Sequence, residues 1–264
     1  MGDGFAGMLD RLSSPRQTLF RTSPMPAFDL VIFDCDGVLV DSEMLSAGVL
    51  MALMSEHGLP ITPEIFRVDF LGRSFASAAA QAERRFGRPL PDGFQQTYRQ
   101  RLMRRMRADL KPMAGVMELL PKISCRYCLA TSSSPERLAV TLGVTGLAPY
   151  FAGLSFTAAE VARGKPAPDL FLHAARLMGA EARRSLVIED SEMGVRSGHA
   201  AGMEVWHFAG GSHVQAGYRL PDDVVPHRVV AGMADLGAAL AERGLCRGGA
   251  GRLSSGLSED GRKT

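Results

Sequence analysis

The feature that most constrains this chain is the regular alternation of short, β-forming apolar runs with helix-patterned stretches. The runs are residues 29–33, 126–130, 154–157, 185–188 and 204–208. Helical patterns follow at 135–142, 168–178 and 193–201, the last running into Gly202, a residue suited to a C-cap. Such alternation predicts an α/β fold, a parallel sheet wrapped by helices. The chain has 264 residues, 46% of them apolar, enough for one large domain or for a domain carrying a smaller insertion.

Roughly ninety residues separate the first two runs, far more than the dozen a simple crossover needs. Their apolar periodicity is helical: Leu45, Val49, Leu50 and Leu53 recur as one face, and 94–110 reads as a second long helix. Residues 43–110 are therefore expected to form a helical cap domain, and 27–42 with 111–246 the core. Residues 1–26 are expected to be a flexible leader without the continuous apolar segment of a secretory signal. The tail, 247–264, is rich in Gly, Ser and Arg and is expected to be disordered.

The chemistry concentrates after the first run, at Phe33-Asp34-Cys35-Asp36-Gly37-Val38-Leu39-Val40-Asp41-Ser42. Carboxylates at i and i+2 of an extended segment point to one side, so Asp34 and Asp36 can address one substrate from adjacent positions. A divalent cation would offset their repulsion. A shared proton would leave one carboxylate ionised to attack and the other able to donate. Gly37 permits a turn that a bulkier side chain would obstruct. By itself the pair reads more readily as a solvated turn.

Three later segments answer it. Thr131-Ser132-Ser133-Ser134 closes the second run before a helix at Pro135, where hydroxyls and amides can hold phosphate or simply cap the helix. In Gly164-Lys165-Pro166-Ala167-Pro168-Asp169 two prolines hold the preceding residues extended, presenting Lys165 to neutralise a phosphoryl group. Glu189 and Asp190 end the fourth run, and oxygen ligands of this kind suit Mg2+; Asp190 and Ser191 equally suit a helix cap. All four segments fall at the carboxyl ends of predicted parallel strands, where open α/β sheets bind ligands.

In order, spacing and strand-end placement, these segments resemble the four motifs of the haloacid dehalogenase-like hydrolase superfamily over residues 27–210. The resemblance implies a Rossmann-like core with the inserted helical cap. It implies that Asp34 is a nucleophile forming a phosphoaspartyl intermediate, that Asp36 is the general acid and base, and that Thr131 and Lys165, with Ser132, bind the phosphoryl group. Mg2+ would be held by Asp34, the Asp36 backbone carbonyl and Asp190, with Glu189 close by. The insertion, the Asp41-Ser42-Glu43 continuation and Leu71-Gly72-Arg73-Ser74 are similar to the β-phosphoglucomutase-like subgroup. Gly202-Met203-Glu204-Val205 and Gly210-Gly211-Ser212-His213 are similar to its sugar-phosphate phosphatases, including 6-phosphogluconate phosphatase. Arg73 and Ser74 are the candidate substrate contacts of the cap.

The expected activity is hydrolysis of small phosphorylated metabolites, sugar phosphates or phosphorylated sugar acids. The alternative is a phosphosugar mutase. Where mutases carry a cap histidine and a cap arginine, this chain has Ser46 and Phe75, which favours the phosphatase. The expected cap contains no lysine for phosphonatase chemistry. A binding module is suggested by Arg99, Arg101, Arg104, Arg105 and Arg107, but these spread over more than one face, and the net charge is only +2. No nucleic-acid or membrane partner is therefore expected, and the protein is expected to be cytoplasmic, a monomer or weak homodimer. Cys125 and Cys128 lack a second pair for zinc, and the six histidines show no metal-ligand spacing.

Overall fold

The structure, a computed structural model, describes residues 28–71 and 75–247. The expected leader and residues 248–264 of the expected tail lie outside these. The first strand, β1 (Leu30–Phe33), is fully buried. It is followed by α1 (Glu43–Glu56), α2 (Pro63–Asp69), α3 (Phe75–Phe86) and α4 (Phe94–Asp109). A short α5 (Val116–Leu119) leads to β2 (Arg126–Thr131), α6 (Pro135–Thr145), α7 (Ala148–Phe151) and β3 (Ser155–Thr157). The chain then continues through α8 (Asp169–Leu177), β4 (Ser185–Glu189), α9 (Glu192–Ala200), β5 (Glu204–Phe208), α10 (Ser212–Gln215), β6 (Arg228–Val230) and α11 (Met233–Glu242).

The six strands form one parallel sheet in the order β3-β2-β1-β4-β5-β6. Both faces are covered, which is why β1 reads Leu-Val-Ile-Phe without a polar break. Side chains alternate across it: Val31 and Phe33 enter one core cluster, Leu30 and Ile32 the other. The strands at 126, 154, 185 and 204 appear where the sequence places them. β6 was not foreseen, because it is a three-residue edge strand whose middle residue, Val229, is 57% exposed and leaves no buried run to detect.

The helical stretch between β1 and β2 has its own apolar cluster, built from Ala47, Leu50, Leu53, Met54, Phe66, Phe70 and Phe94. One expectation is corrected here. Leu45, Val49, Leu50 and Leu53 do not share a face: Leu50 and Leu53 enter this cluster, while Leu45 and Val49 pack on the sheet-side core. α1 is apolar around its circumference because it lies between two cores, so its pattern does not resolve into one stripe. α2 begins at Thr62, whose hydroxyl accepts from Ile65 N at 3.2 Å, with Pro63 in the first turn. The arginines of α4 at 99, 104, 105 and 107 are exposed, while Leu102 and Met106 are buried, as expected of a solvated outer face.

The insert is joined to the sheet by two paired crossings. Met113 N donates to Leu39 O at 2.8 Å, and Val40 bridges Pro112 in antiparallel fashion. Among the described residues no helix is long and apolar enough to cross a membrane.

Candidate active site

Asp34 follows β1 directly, and its backbone N–H donates to Ile188 O on β4 at 2.9 Å, so strand pairing fixes its position. Glu189 ends β4 and Asp190 follows it. Carboxylate oxygens of Asp34, Glu189 and Asp190 lie within 4.8 Å of one another, and all three residues are buried. Lys165 enters from the loop before α8, with its side chain 4% exposed. Its Nζ donates to Asp34 Oδ1 at 2.5 Å, Glu189 Oε1 at 2.8 Å and the Ala130 carbonyl at 3.2 Å.

One ammonium faces three buried carboxyls, and their proton affinities register the imbalance. Burial, reinforced by Glu189 and Asp190, pushes Asp34 well above the ordinary carboxylate range, against the pull of Lys165. Asp190 is also pushed well up, by burial and then by Glu189 and Glu43. Glu189 moves the other way: Lys165, with the Ser191 amide and hydroxyl bound to its Oε2 at 2.7 and 3.0 Å, overcomes the burial that would raise it. The cluster is an oxygen-only, buried set short of positive charge, which fits a hard divalent cation such as Mg2+. Gly37 is essential beside it: at φ 83°, an added Cβ would come within 1.8 Å of Asp190 Oδ2.

Asp36 sits in a different pocket. The extended geometry assumed for Asp34 and Asp36 ends at Phe33, since Gly37 N donates to Val40 O and the chain turns there. Asp36 Oδ1 accepts from Ser42 Oγ at 2.5 Å and Arg137 Nη2 at 2.7 Å, and Oδ2 accepts from Ser133 Oγ at 2.7 Å. Burial alone would raise this carboxyl, but Arg137 and the two hydroxyls outweigh it and hold it below the usual range. Without a cation the preferences are thus the reverse of a charged attacker beside a protonated donor.

A model of the haloacid dehalogenase-like hydrolase family matches residues 28–202, which span Asp34, Asp36, Thr131, Lys165, Glu189 and Asp190. The chain belongs to that family. It is 28% identical over 200 residues to the 6-phosphogluconate phosphatase of Escherichia coli K12, covering 72% of this chain and 86% of that protein. A haloacid dehalogenase-like protein from Agrobacterium tumefaciens superposes with a TM-score of 0.73 at 36% identity, covering 82% of this chain and 99% of the other. A hydrolase of the family from Deinococcus radiodurans, solved with bound phosphate and sodium, gives 0.70 at 31% identity, covering 84% and 98%.

In this hydrolase Asp34, Lys165, Glu189 and Asp190 converge as one group, and Thr131 is buried at the end of β2, its hydroxyl accepting from Ser133 N at 3.0 Å. Ser132 is exposed, whereas Ser133 is the hydroxyl that reaches Asp36. Ser134 and Ser191 cap α6 and α9, accepting from Arg137 N and Gly194 N. Arg73 and Ser74 lie outside the described residues. Two site residues escaped the sequence reading. Arg137 lies in the first turn of α6, a position without a signature of its own. His213 is 2% exposed with Nε2 3.0 Å from Asp190 Oδ2, although neither ring nitrogen completes a hydrogen bond among the described residues. Its trace in the sequence is the Gly210-Gly211-Ser212-His213 segment, which follows β5 and is anchored by Ser212 donating to Asp41.

Proposed function

We propose that this hydrolase is a Mg2+-dependent phosphatase acting on small phosphorylated metabolites, sugar phosphates or phosphorylated sugar acids, through a phosphoaspartyl intermediate on Asp34. The observation that carries the reading is the convergence of Asp34, Lys165, Glu189 and Asp190 at the carboxyl ends of β1 and β4, with Asp36 two residues from the nucleophile in a pocket of donors. The relationship to a 6-phosphogluconate phosphatase and the phosphate held by the Deinococcus radiodurans protein support the substrate class.

Asp34 attacks the phosphorus as the bond to the leaving oxygen breaks, and Asp36 delivers a proton to that oxygen. Asp36 then takes a proton from water as the water oxygen attacks phosphorus and releases Asp34. Lys165 and Thr131 hold the phosphoryl oxygens, Lys165 offsetting charge that develops on them. Mg2+, held by Asp34, the Asp36 carbonyl and Asp190 with Glu189 nearby, would supply the positive charge the carboxylates lack and polarise the phosphoryl group. Helices α1 to α4 act as the cap that excludes water and selects the leaving group.

The mutase alternative is disfavoured by what lines the insert. Ser46 is buried, and Phe75 packs against Phe94 and Tyr98 at ring separations of 6.4 and 5.9 Å, so neither position offers a cation. A cytoplasmic monomer or weak homodimer completes the reading, which the four unpaired cysteines favour. The test is phosphate release from a panel of sugar phosphates and phosphorylated sugar acids, with and without Mg2+, beside Asp34→Asn. Metal-dependent release that vanishes in the variant is expected. Release that persists in Asp34→Asn would overturn the mechanism.

A further inference from the structure

Arg137 projects from the first turn of α6, and its side chain is 25% exposed. α4 packs across both α1 and α6, which puts insert residues over it. Tyr98 of α4 and Glu43, the first residue of α1, lie close enough to interact electrostatically with the guanidinium. Nη2 makes the bond to Asp36, and Nε has no partner among the described residues. An arginine in such surroundings loses hydration, and its one strong compensation is the carboxylate it faces.

The two oxygens of Asp36 are not equivalent. Oδ1 accepts from both Ser42 and Arg137, so its lone pairs are used. Oδ2 accepts from Ser133 Oγ alone and keeps one lone pair. A hydroxyl can rotate and exchange donor for acceptor, so Ser133 can stay bonded when Oδ2 carries a proton. A guanidinium has no acceptor and cannot make that exchange, so a proton on Oδ1 would force Ser42 to reverse and leave Arg137 donating to the hydroxyl oxygen of a neutral acid, a weaker bond than the charge-assisted one it makes.

We infer that Arg137 is a positioning residue for the acid–base step, anchoring Oδ1 of Asp36 with Ser42 so that Oδ2 is the oxygen that gives and takes the proton. The inference rests on the phosphatase reading above. In the first half-reaction the Oδ2 proton passes to the leaving oxygen while the phosphorus–oxygen bond breaks and the bond to Asp34 forms. In the second, Oδ2 recovers a proton from the water that displaces Asp34 from phosphorus. The charge-assisted Nη2 bond of Arg137 and the Ser42 hydroxyl together hold Oδ1 from two donors, and a lysine at 137 would keep the charge without the guanidinium's fixed donor geometry. Ser42 is the residue at which the chain enters α1, so one of the two anchors belongs to the junction between core and insert.

The experiment compares leaving groups. A sugar phosphate needs its alkoxide protonated as it leaves, whereas p-nitrophenolate departs without help, and kcat/KM reports the chemistry up to that departure. In Arg137→Met, kcat/KM is expected to fall about a hundredfold on the best sugar phosphate and less than about fivefold on p-nitrophenyl phosphate. Arg137→Lys should recover part of the difference, and Ser42→Ala should show the same selective loss in smaller degree. Asp36→Asn sets the limiting pattern, and circular dichroism with Tm controls for folding. Equal losses on both substrates, or no loss on either, would overturn the assignment. Should Arg137→Met fail to fold, Ser42→Ala and Arg137→Lys decide by the same ratio. A selective defect in Asp36→Asn with wild-type behaviour in the Arg137 and Ser42 variants would sink this inference alone. A wild type that releases no phosphate from any compound would sink the phosphatase reading and this inference with it.

Discussion

Asp34 and Asp36 are two residues apart on one loop, yet the protein treats them oppositely. Asp34 shares one buried ammonium with Glu189 and lies beside Asp190, and its proton is held far more tightly than in water. Asp36 has Arg137 and two hydroxyls to itself, and its proton is held less tightly. Covalent distance along the chain therefore says little about electrostatic company. The Asp34 pocket is short of positive charge within the chain, whereas Asp36 has its counter-charge within the chain. The surroundings of Asp34, the proposed nucleophile, suit a cation, and those of Asp36, the proposed acid and base, draw on α6 and the start of α1.

The comparison breaks most visibly if the same substitution is made on both sides. Asp34→Asn should lower phosphate release by at least about 10⁴-fold, because the attacking oxygen is gone. Its metal-free Tm should not fall below that of wild type, since the amide stands in for a carboxyl that already prefers to be neutral. Asp36→Asn should instead cost about 3 kcal/mol in denaturant unfolding, because Arg137 is left without its counter-charge. Equal and same-signed stability changes in the two variants would show that the pockets are not opposite. Next in size, Lys165→Met should destabilise the metal-free protein by about 3–5 kcal/mol at neutral pH, leaving the ionised Glu189 without its counter-charge. A loss under about 1 kcal/mol would mean that the carboxyls simply take up protons.

Magnesium sharpens the contrast with a pH sign. Asp34 and Asp190 have folded values raised above 3.8, so without a cation the folded state holds extra protons, and stability falls as pH rises from 3.8 toward those raised values. Asp36 is depressed, so its contribution is present above its unfolded value and is lost as pH falls through the folded one. The stabilisation from Mg2+ should therefore grow as pH rises above the ordinary carboxylate range, reaching about 2.7 kcal/mol when Mg2+ is at a hundredfold its Kd. Chelation should remove it. A Tm increment that is flat with pH would argue that the cation binds elsewhere.

The sheet and the converging groups were legible because parallel strands buried on both faces must be continuously apolar, and ligand groups must follow their ends. Leu30–Phe33, Glu189, Asp190 and Lys165 could be read in this way. The edge strand at Arg228–Val230 could not, because Val229 faces solvent. Nor could α1 be assigned a face, because Leu45 and Leu50 serve two different cores. Arg137 was invisible for another reason: one arginine on a helix is ordinary, and its contact with Asp36 joins residues a hundred and one positions apart. Spacing rules register ligands on the same element and are blind to such pairs.

His213 was passed over for the same reason, since it was weighed against other histidines rather than against Asp190. It is buried, burial holds its imidazole below the ordinary histidine value, and an added Cβ on Gly211 would come within 2.6 Å of its ring, so Gly211 makes room for it. The neutral ring 3.0 Å from Asp190 Oδ2 restricts where that carboxylate can swing. Ligands steadied in this way bind metal more tightly than free ones. His213→Asn should thus weaken Mg2+ binding, measured by calorimetry, by roughly tenfold, while the leaving-group preference that depends on Asp36 stays at its wild-type value. If the variant changes leaving-group preference and spares Mg2+ affinity, then His213 acts on the wrong aspartate, and the division between an incomplete Asp34 pocket and a self-sufficient Asp36 pocket fails.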